Sequence, residues 1–290
     1  PPTVPLPTPI HTYTNHSPVP SSLQAKRVDG SPPSIIIGID EAGRGPIIGP
    51  MVYSLAYCSS EFGAGVLPNC EFADSKKLTE PKRWELMKRV CTESVGDGED
   101  ENALSNNLGY AITSLTALDI SSSMLRPSSL VVNLNEQAHT ATIELIKAVI
   151  QRLREEVCEN VIIAGVYIDT VGPPASYVKK LRQFFSVDDV KEIRVEKKAD
   201  ATYPIVSAAS VVAKVTRDWF LECAAKETGC AEGYENWGSG YPSDPRTSSW
   251  INGKLDPWFG WDLNIRYSWG TARDAFNRSK VSVEMRWEHE

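Results

Sequence analysis

Four acidic residues stand where this sequence can place chemistry. Asp40 and Glu41 close the apolar run Ile35-Ile36-Ile37-Gly38-Ile39 and lead into the turn Ala42-Gly43-Arg44-Gly45-Pro46. Asp169 closes a second apolar run beginning at Val161 and is followed by Gly172-Pro173, while Asp200 stands just ahead of a stretch rich in Ala, Ser and Val. A short β-branched run ended by Gly and Pro fits an interior strand better than a helix. Carboxylates at a strand end, followed by backbone N–H groups of a glycine turn, suit phosphate chemistry only through a divalent cation. Such an ion takes one or two carboxylates together with phosphate oxygens and reverses their mutual repulsion. Blander readings stay open: a solvated strand end for Asp40 and Glu41, and helix caps for Asp169 and Asp200. Adjacent strand residues point to opposite faces, so Asp40 and Glu41 are expected to face one site only if the strand stops or kinks at Asp40.

Other phosphate and metal sites are excluded by spacing. Gly43 to Gly49 lacks the third glycine of a dinucleotide loop, and no Gly-Lys-Ser/Thr follows. The acids Glu93, Asp97, Glu99, Asp100 and Glu101 have calcium-loop spacing in part, but Asn102 and Leu108 stand where such a loop needs Gly and Glu, which leaves a solvated loop. Six cysteines form no CxxC pair, so reduced thiols are expected rather than zinc. The formal charge of −7 has the wrong sign for nucleic-acid binding through net charge. A local surface has the right one: residues 176 to 217 carry nine basic side chains against five acidic ones. No apolar run of about 18 residues occurs, so no membrane span is expected.

The elements that must position these residues can be read in outline. Residues 1–34 hold nine of the 20 prolines and few large apolar side chains, which predicts a disordered lead-in, with His11 and His16 as bystanders. Residues 50–57 predict a second strand forming a hairpin with the first, 79–91 a helix capped by Thr79, and 108–120 a further strand-like stretch. The longest helix is expected from Asn133 to Val157, with Ile143, Ile146, Val149, Ile150 and Leu153 on its core stripe and His139 on the surface or at the cap. A helix over 174–185, a strand over 190–195 and a helix after Tyr203-Pro204 complete the series. Strand, helix and strand in this order predict a parallel crossover, whose ligand sites gather at the carboxyl ends of strands.

The stretch Asp40-Glu41-Ala42-Gly43-Arg44-Gly45-Pro46 resembles the signature of type 2 ribonucleases H. Further matches resemble the catalytic subunit of the eukaryotic heterotrimeric form: Asp74-Ser75-Lys76, Asn133-Leu134-Asn135-Glu136, Asp169-Thr170-Val171-Gly172, Lys198-Ala199-Asp200, Gly238-Ser239-Gly240-Tyr241-Pro242 and Arg266-Tyr267-Ser268-Trp269. Lys197 stands where family members often have Ala, outside the ligand position. The resemblance runs from about Ile35 to the C-terminus. It implies an α/β ribonuclease H-like mixed sheet flanked by helices, a catalytic domain over 35–225, and a mostly helical extension over 226–290 that completes the substrate site and contacts partners. It further implies Asp40, Glu41, Asp169 and Asp200 as ligands of two Mg²⁺ or Mn²⁺ ions, and Gly43, Arg44, Gly45, Lys76, Asn133, Lys198 and Tyr241 as substrate contacts. The activity implied is hydrolysis of RNA in RNA/DNA hybrids and incision 5′ of single ribonucleotides in duplex DNA, in the nucleus, with two accessory subunits. Two rivals remain: another metal-dependent nuclease of the same fold, which would cut all-DNA duplex, and a noncatalytic scaffold, which would not need all four acids.

Overall fold

The architecture follows from two apolar runs that are buried on both faces. The computed structural model describes residues 2–25, 30–72, 78–92, 102–170, 172–227 and 237–279. Six strands, β1 (Tyr13–His16), β2 (Ser34–Ala42), β3 (Met51–Ser59), β4 (Gly109–Leu115), β5 (Ile162–Asp169) and β6 (Val190–Glu196), form one sheet in the order β1-β4-β3-β2-β5-β6. β1 to β4 pair antiparallel, and β2, β5 and β6 run parallel. The helices are α1 (Ser21–Gln24), α2 (Ser60–Gly65), α3 (Glu80–Cys91), α4 (Leu104–Asn107), α5 (Ala117–Met124), α6 (Leu134–Glu156), α7 (Pro174–Leu181), α8 (Pro204–Glu227), α9 (Pro245–Gly253) and α10 (Gly270–Ser279). This is the expected mixed sheet flanked by helices, with a helical C-terminal region.

Each face of the sheet has its own core. Ile35, Ile37 and Ile39 of β2 pack with Ile146, Val149, Ile150 and Leu153 of α6, as the helical stripe requires. The capping box that starts α6 uses both ends of its motif: Asn133 Oδ1 accepts the Glu136 N–H at 3.1 Å, and Glu136 Oε2 accepts the Asn133 N–H at 3.2 Å. On the other face α8 lies on β2 and β3, its Val206, Ala209 and Val212 packed with Val52 and Ala56. The approach is close because β2 offers a glycine there; a Cβ on Gly38 would lie 2.4 Å from the backbone of Ile205. A third cluster joins Ile47 and Ile48 to Phe220 and Leu221 of α8 and to Trp237, Ile251, Trp261 and Ile265 of the C-terminal region.

Three expectations are corrected. The proline-rich lead-in is folded where it is described: β1 pairs with β4 from Tyr13↔Ser114 to His16↔Ala111, Thr3, Val4, Val19 and Leu23 are buried, and Thr216 Oγ1 donates to Thr3 Oγ1 at 3.0 Å. The reason is that β4 otherwise leaves an open ladder edge, and backbone hydrogen bonding recruits a segment regardless of its low hydrophobicity. His11 is no bystander either, since its Nδ1 lies 3.0 Å from Asp119 Oδ1. The third correction is at the end of β4, which stops at Leu115; Thr116 then caps α5, accepting the Asp119 N–H at 3.3 Å. The helix expected over 174–185 ends at Leu181. The acidic loop of Glu93 to Glu101 and the Asp74-Ser75-Lys76 stretch lie outside the described residues.

Replacing Gly38 by Ala would drive a methyl group into the α8 backbone, where no flexible side chain can yield. Overpacking of this kind costs about 3 kcal/mol, which in a domain of this size lowers Tm by roughly 6–12 °C. Calorimetry of Gly38→Ala tests it, and an unchanged Tm would show that α8 has slack against the sheet.

Candidate active site

Parallel pairing brings two of the four acids together. Ile39 of β2 faces Ile168 of β5, so Asp40 and Asp169 follow side by side at the carboxyl end of adjacent strands. Ile39 and Ile168 both belong to the α6 core, and alternation therefore turns Asp40 and Asp169 to the α8 side. Asp40 is 5% exposed, hydrogen-bonds to Ser210 of α8 and accepts the Glu41 N–H on Oδ1 at 2.7 Å. Asp169 Oδ1 accepts the Ala199 N–H at 3.0 Å, which ties the end of β5 to the single turn Ala199–Ala201 carrying Asp200. Asp200 is buried as well, and its carbonyl accepts the Ser207 hydroxyl of α8 at 2.5 Å.

Glu41 behaves differently from the sequence expectation. β2 neither stops nor kinks at Asp40; it pairs with β3 through Glu41↔Tyr53 and Ala42↔Val52. Regular alternation puts Glu41 on the side opposite Asp40, in a cleft with Tyr53, Asn135, His139, Asp169 and Tyr177. It also reaches a second cleft, lined by Ser210, Lys214, Arg217 and Tyr241. Glu41 thus straddles the sheet edge between the two. Among the described residues no three His, Cys, Asp or Glu side chains are gathered into a ready ligand cluster.

The glycine turn is held from behind by the C-terminal region. Arg266 is fully buried: its Nε donates to the Gly49 carbonyl at 2.9 Å, Nη1 to the Arg44 carbonyl at 3.0 Å and Nη2 to the Gly43 carbonyl at 2.5 Å. Trp269 Nε1 donates to the Gly45 carbonyl at 3.0 Å, and the Arg266 guanidinium lies 4.8 Å from the Trp269 ring centroid. Gly43 has φ +83°, and a Cβ there would lie 2.4 Å from Arg217 Nε, so glycine is required on both counts. The Gly240 carbonyl accepts the Ile47 N–H at 2.8 Å, which docks the segment carrying Tyr241 on the same loop. A Cβ on Gly45 would come within 3.1 Å of the half-exposed Tyr241 ring.

The remaining residues expected at the site divide. Arg44 lines the Glu41 cleft and its Nη2 donates to Asn135 Oδ1. Asn133 spends its side chain on capping α6, and Asn135, two residues on, reaches the cleft instead. Lys198 is exposed, in the left-handed region at φ +60°, and lines neither cleft. His139, expected on the surface, is half-buried, stacked on Tyr177 at 4.1 Å with Nδ1 3.2 Å from Lys180 Nζ. Burial and then the Lys180 charge hold its pKa below the usual imidazole range.

Comparison with known proteins decides the family. The profile described as Ribonuclease HII matches residues 37–272. The chain belongs to the ribonuclease HII family. It is 45% identical to the A subunit of ribonuclease H2 from Schizosaccharomyces pombe over 255 residues, covering 87% of this chain and 71% of that one. The ribonuclease H2 structure from Pyrococcus horikoshii OT3 superposes with a TM-score of 0.64 at 28% identity, covering 85% of this chain and 99% of that one. Bst-RNase HIII in complex with Mn²⁺ is similar in fold alone, with a TM-score of 0.55 at 16% identity over 86% of this chain and 71% of that one. As a member of the ribonuclease HII family the chain is a ribonuclease H, an endonuclease that hydrolyses phosphodiester bonds.

The donor set of this ribonuclease HII suits a hard divalent cation, since all four candidate ligands offer carboxylate oxygen and none offers sulfur or imidazole. Burial, then the like charges of Glu41 and Asp169, raise the Asp40 pKa well above the usual carboxylate value, so the protein alone leaves this acid under-compensated. The consequence for stability has a definite sign. Below pH about 3.8 the group is protonated in both states and contributes nothing. As pH rises above that value the unfolded chain releases the proton before the native one does, so stability falls with pH until the native group ionises. Asp40→Asn removes this penalty and can still accept from Ser210 and Glu41. In chelator, the variant is expected to melt above wild type at pH 7 by about 2–4 °C for each kcal/mol relieved, with the gain vanishing near pH 3.5. A variant that melts lower at pH 7 would show that the Asp40 charge is stabilised by the protein itself.

Proposed function

We propose that this chain is the catalytic subunit of a heterotrimeric ribonuclease H2 that cleaves RNA in RNA/DNA hybrids and incises duplex DNA 5′ of a single ribonucleotide. The observation that carries the reading is the convergence of Asp40, Asp169 and the Asp200 turn at one sheet edge, with Glu41 beside them and the Gly43-Arg44-Gly45 loop across the edge. Asp40, Glu41, Asp169 and Asp200 would hold two Mg²⁺ or Mn²⁺ ions. When bound there, these ions supply activation of a water and neutralisation of charge on the scissile phosphate and its leaving 3′ oxygen. The open arrangement fits such ions, because Mg²⁺ keeps waters and substrate phosphate oxygens among its ligands and needs no closed protein cage.

Specificity comes from the loop and its neighbour. The N–H groups of Arg44 and Gly45 donate to no acceptor among the described residues, and both flank the clefts, so they are available to the 2′-hydroxyl oxygen that distinguishes RNA from DNA. Tyr241, leaning on Gly45, takes the sugar of the following deoxynucleotide against its ring, where a second 2′-hydroxyl would crowd it. Lys198, and Lys76 and Asn133 by family resemblance, track backbone phosphates. The products carry 3′-hydroxyl and 5′-phosphate ends. The relatives are each named as one lettered subunit of ribonuclease H2, which supports two accessory subunits and a role in ribonucleotide removal during DNA replication and repair in the nucleus. No helix among the described residues is long and apolar enough to cross a membrane.

The test is cleavage by the assembled complex of a DNA duplex containing one ribonucleotide, with Mg²⁺ and with chelator. Metal-dependent incision at the 5′ side of the ribonucleotide, reduced at least about 10³-fold by Asp40→Asn, is expected; removing one transition-state charge stabiliser costs about that much. Equal cutting of an all-DNA control would instead favour a general nuclease, and no cutting would leave a scaffold.

A further inference from the structure

A trans peptide unit is planar, with its C=O and the following N–H pointing in opposite directions. Whatever fixes the carbonyl of residue i therefore aims the N–H of residue i+1. Arg266 fixes the carbonyls of Gly43 and Arg44 from inside the protein, which turns the N–H groups of Arg44 and Gly45 outward. These are the two amides without an acceptor. The Gly45 carbonyl is fixed by Trp269, but the residue that follows is Pro46, which has no N–H to aim.

We propose that Arg266 is the positioning residue that sets discrimination between ribonucleotide and deoxyribonucleotide, by orienting the Arg44 and Gly45 amides, whereas Trp269 only fastens the loop. This rests on the reading of that loop as the 2′-hydroxyl contact. The burial of Arg266 supports a role beyond packing. Among the described residues it has no carboxylate partner, its donors go to loop carbonyls, and burial followed by the nearby Arg217 charge lowers its pKa. It stays a guanidinium all the same, and a buried unpaired cation is a costly way to hold a loop for which an apolar side chain would serve if only packing mattered. Lysine cannot replace it, since one ammonium lacks the fork that spans carbonyls as far apart in sequence as Gly43 and Gly49.

The experiment measures, in chelator, the dissociation constants of the assembled complex for a duplex with one ribonucleotide and for the identical all-DNA duplex. Wild type is expected to favour the ribonucleotide by about tenfold, the worth of one to two hydrogen bonds. Arg266→Lys brings that ratio to near one, while Trp269→Phe, which keeps an aromatic ring under the guanidinium and frees only a carbonyl that aims no donor, keeps the ratio. A ratio unchanged in Arg266→Lys, with both affinities weakened alike, overturns the proposal, as does a Trp269→Phe ratio that falls as far as that of Arg266→Lys. Absence of any preference in wild type would instead fail the reading of the loop itself. Amide hydrogen exchange on wild type keeps the test independent of how well Arg266→Lys folds: Arg44 and Gly45 are expected to exchange freely in the unbound protein and to be protected by the ribonucleotide duplex more than by the DNA duplex. Slow exchange in the unbound protein overturns the outward orientation.

Discussion

The rest of the structure depends on holding like charges together at the open end of a sheet. Two carboxylates about 5 Å apart at an effective dielectric of about 20 repel by roughly 3 kcal/mol, and no local element would keep them there unaided. Here the geometry is imposed by strand pairing: β2 and β5 are parallel neighbours, so residues that end them are adjacent whatever their charge. The force that keeps the strands paired comes from the two cores, α6 against one face and α8 against the other. Apolar burial below the edge thus sustains electrostatic strain at the edge. This explains why β2 and β5 are so completely apolar up to the residue before the acid.

The second constraint concerns the loop between β2 and β3. It must be stiff, yet it crosses the sheet edge where no ladder holds it. The C-terminal region supplies the missing partners, with Ile48 bridging Ile265, the Asn264 carbonyl accepting the Gly49 N–H at 2.7 Å, and Arg266 and Trp269 taking four carbonyls. The region expected as an appendage is therefore part of the same body, packed through Phe220 and Leu221 of α8. Chemistry sits on the sheet and recognition on the loop. Each is fixed by a different part of the chain, so one can be altered while the other keeps its geometry.

Much of this was legible in the residues. Apolar runs ended by Asp located β2 and β5, and the apolar stripe and Asn133/Glu136 pair located α6 almost to the residue, because these are local patterns with a local cause. What escaped were features whose cause is distant in sequence. The pairing of Tyr13–His16 with β4 depends on an edge created about 100 residues later. A kink at Asp40 was expected so that both acids would face one site; instead the clefts on both sides meet at Glu41, which only the packed structure shows. Arg266 lies beside apolar Ile265 and Trp269 with no sequence signal of burial, since a guanidinium is buried only where carbonyls await it, and those belong to residues more than 200 positions earlier. Asn135 could have been found by noting that Asn133, as the cap, has its side chain already committed.

The two kinds of buried charge explain one another. A protein that places acids and arginines near one site would ordinarily pair them, and a paired Asp40 would have no call on a cation. Here Arg266 gives its donors to the carbonyls of Gly43, Arg44 and Gly49, Arg217 gives Nη2 to the Ile48 carbonyl at 3.3 Å, and Arg44 reaches Asn135. Their charge is present, but their hydrogen-bonding capacity is engaged by backbone. Asp40 is left with a hydroxyl and its neighbour's N–H, two neutral donors against the charges of Glu41 and Asp169. That imbalance keeps the carboxylates available: arginines committed to carbonyls can shape the loop without neutralising the edge it crosses.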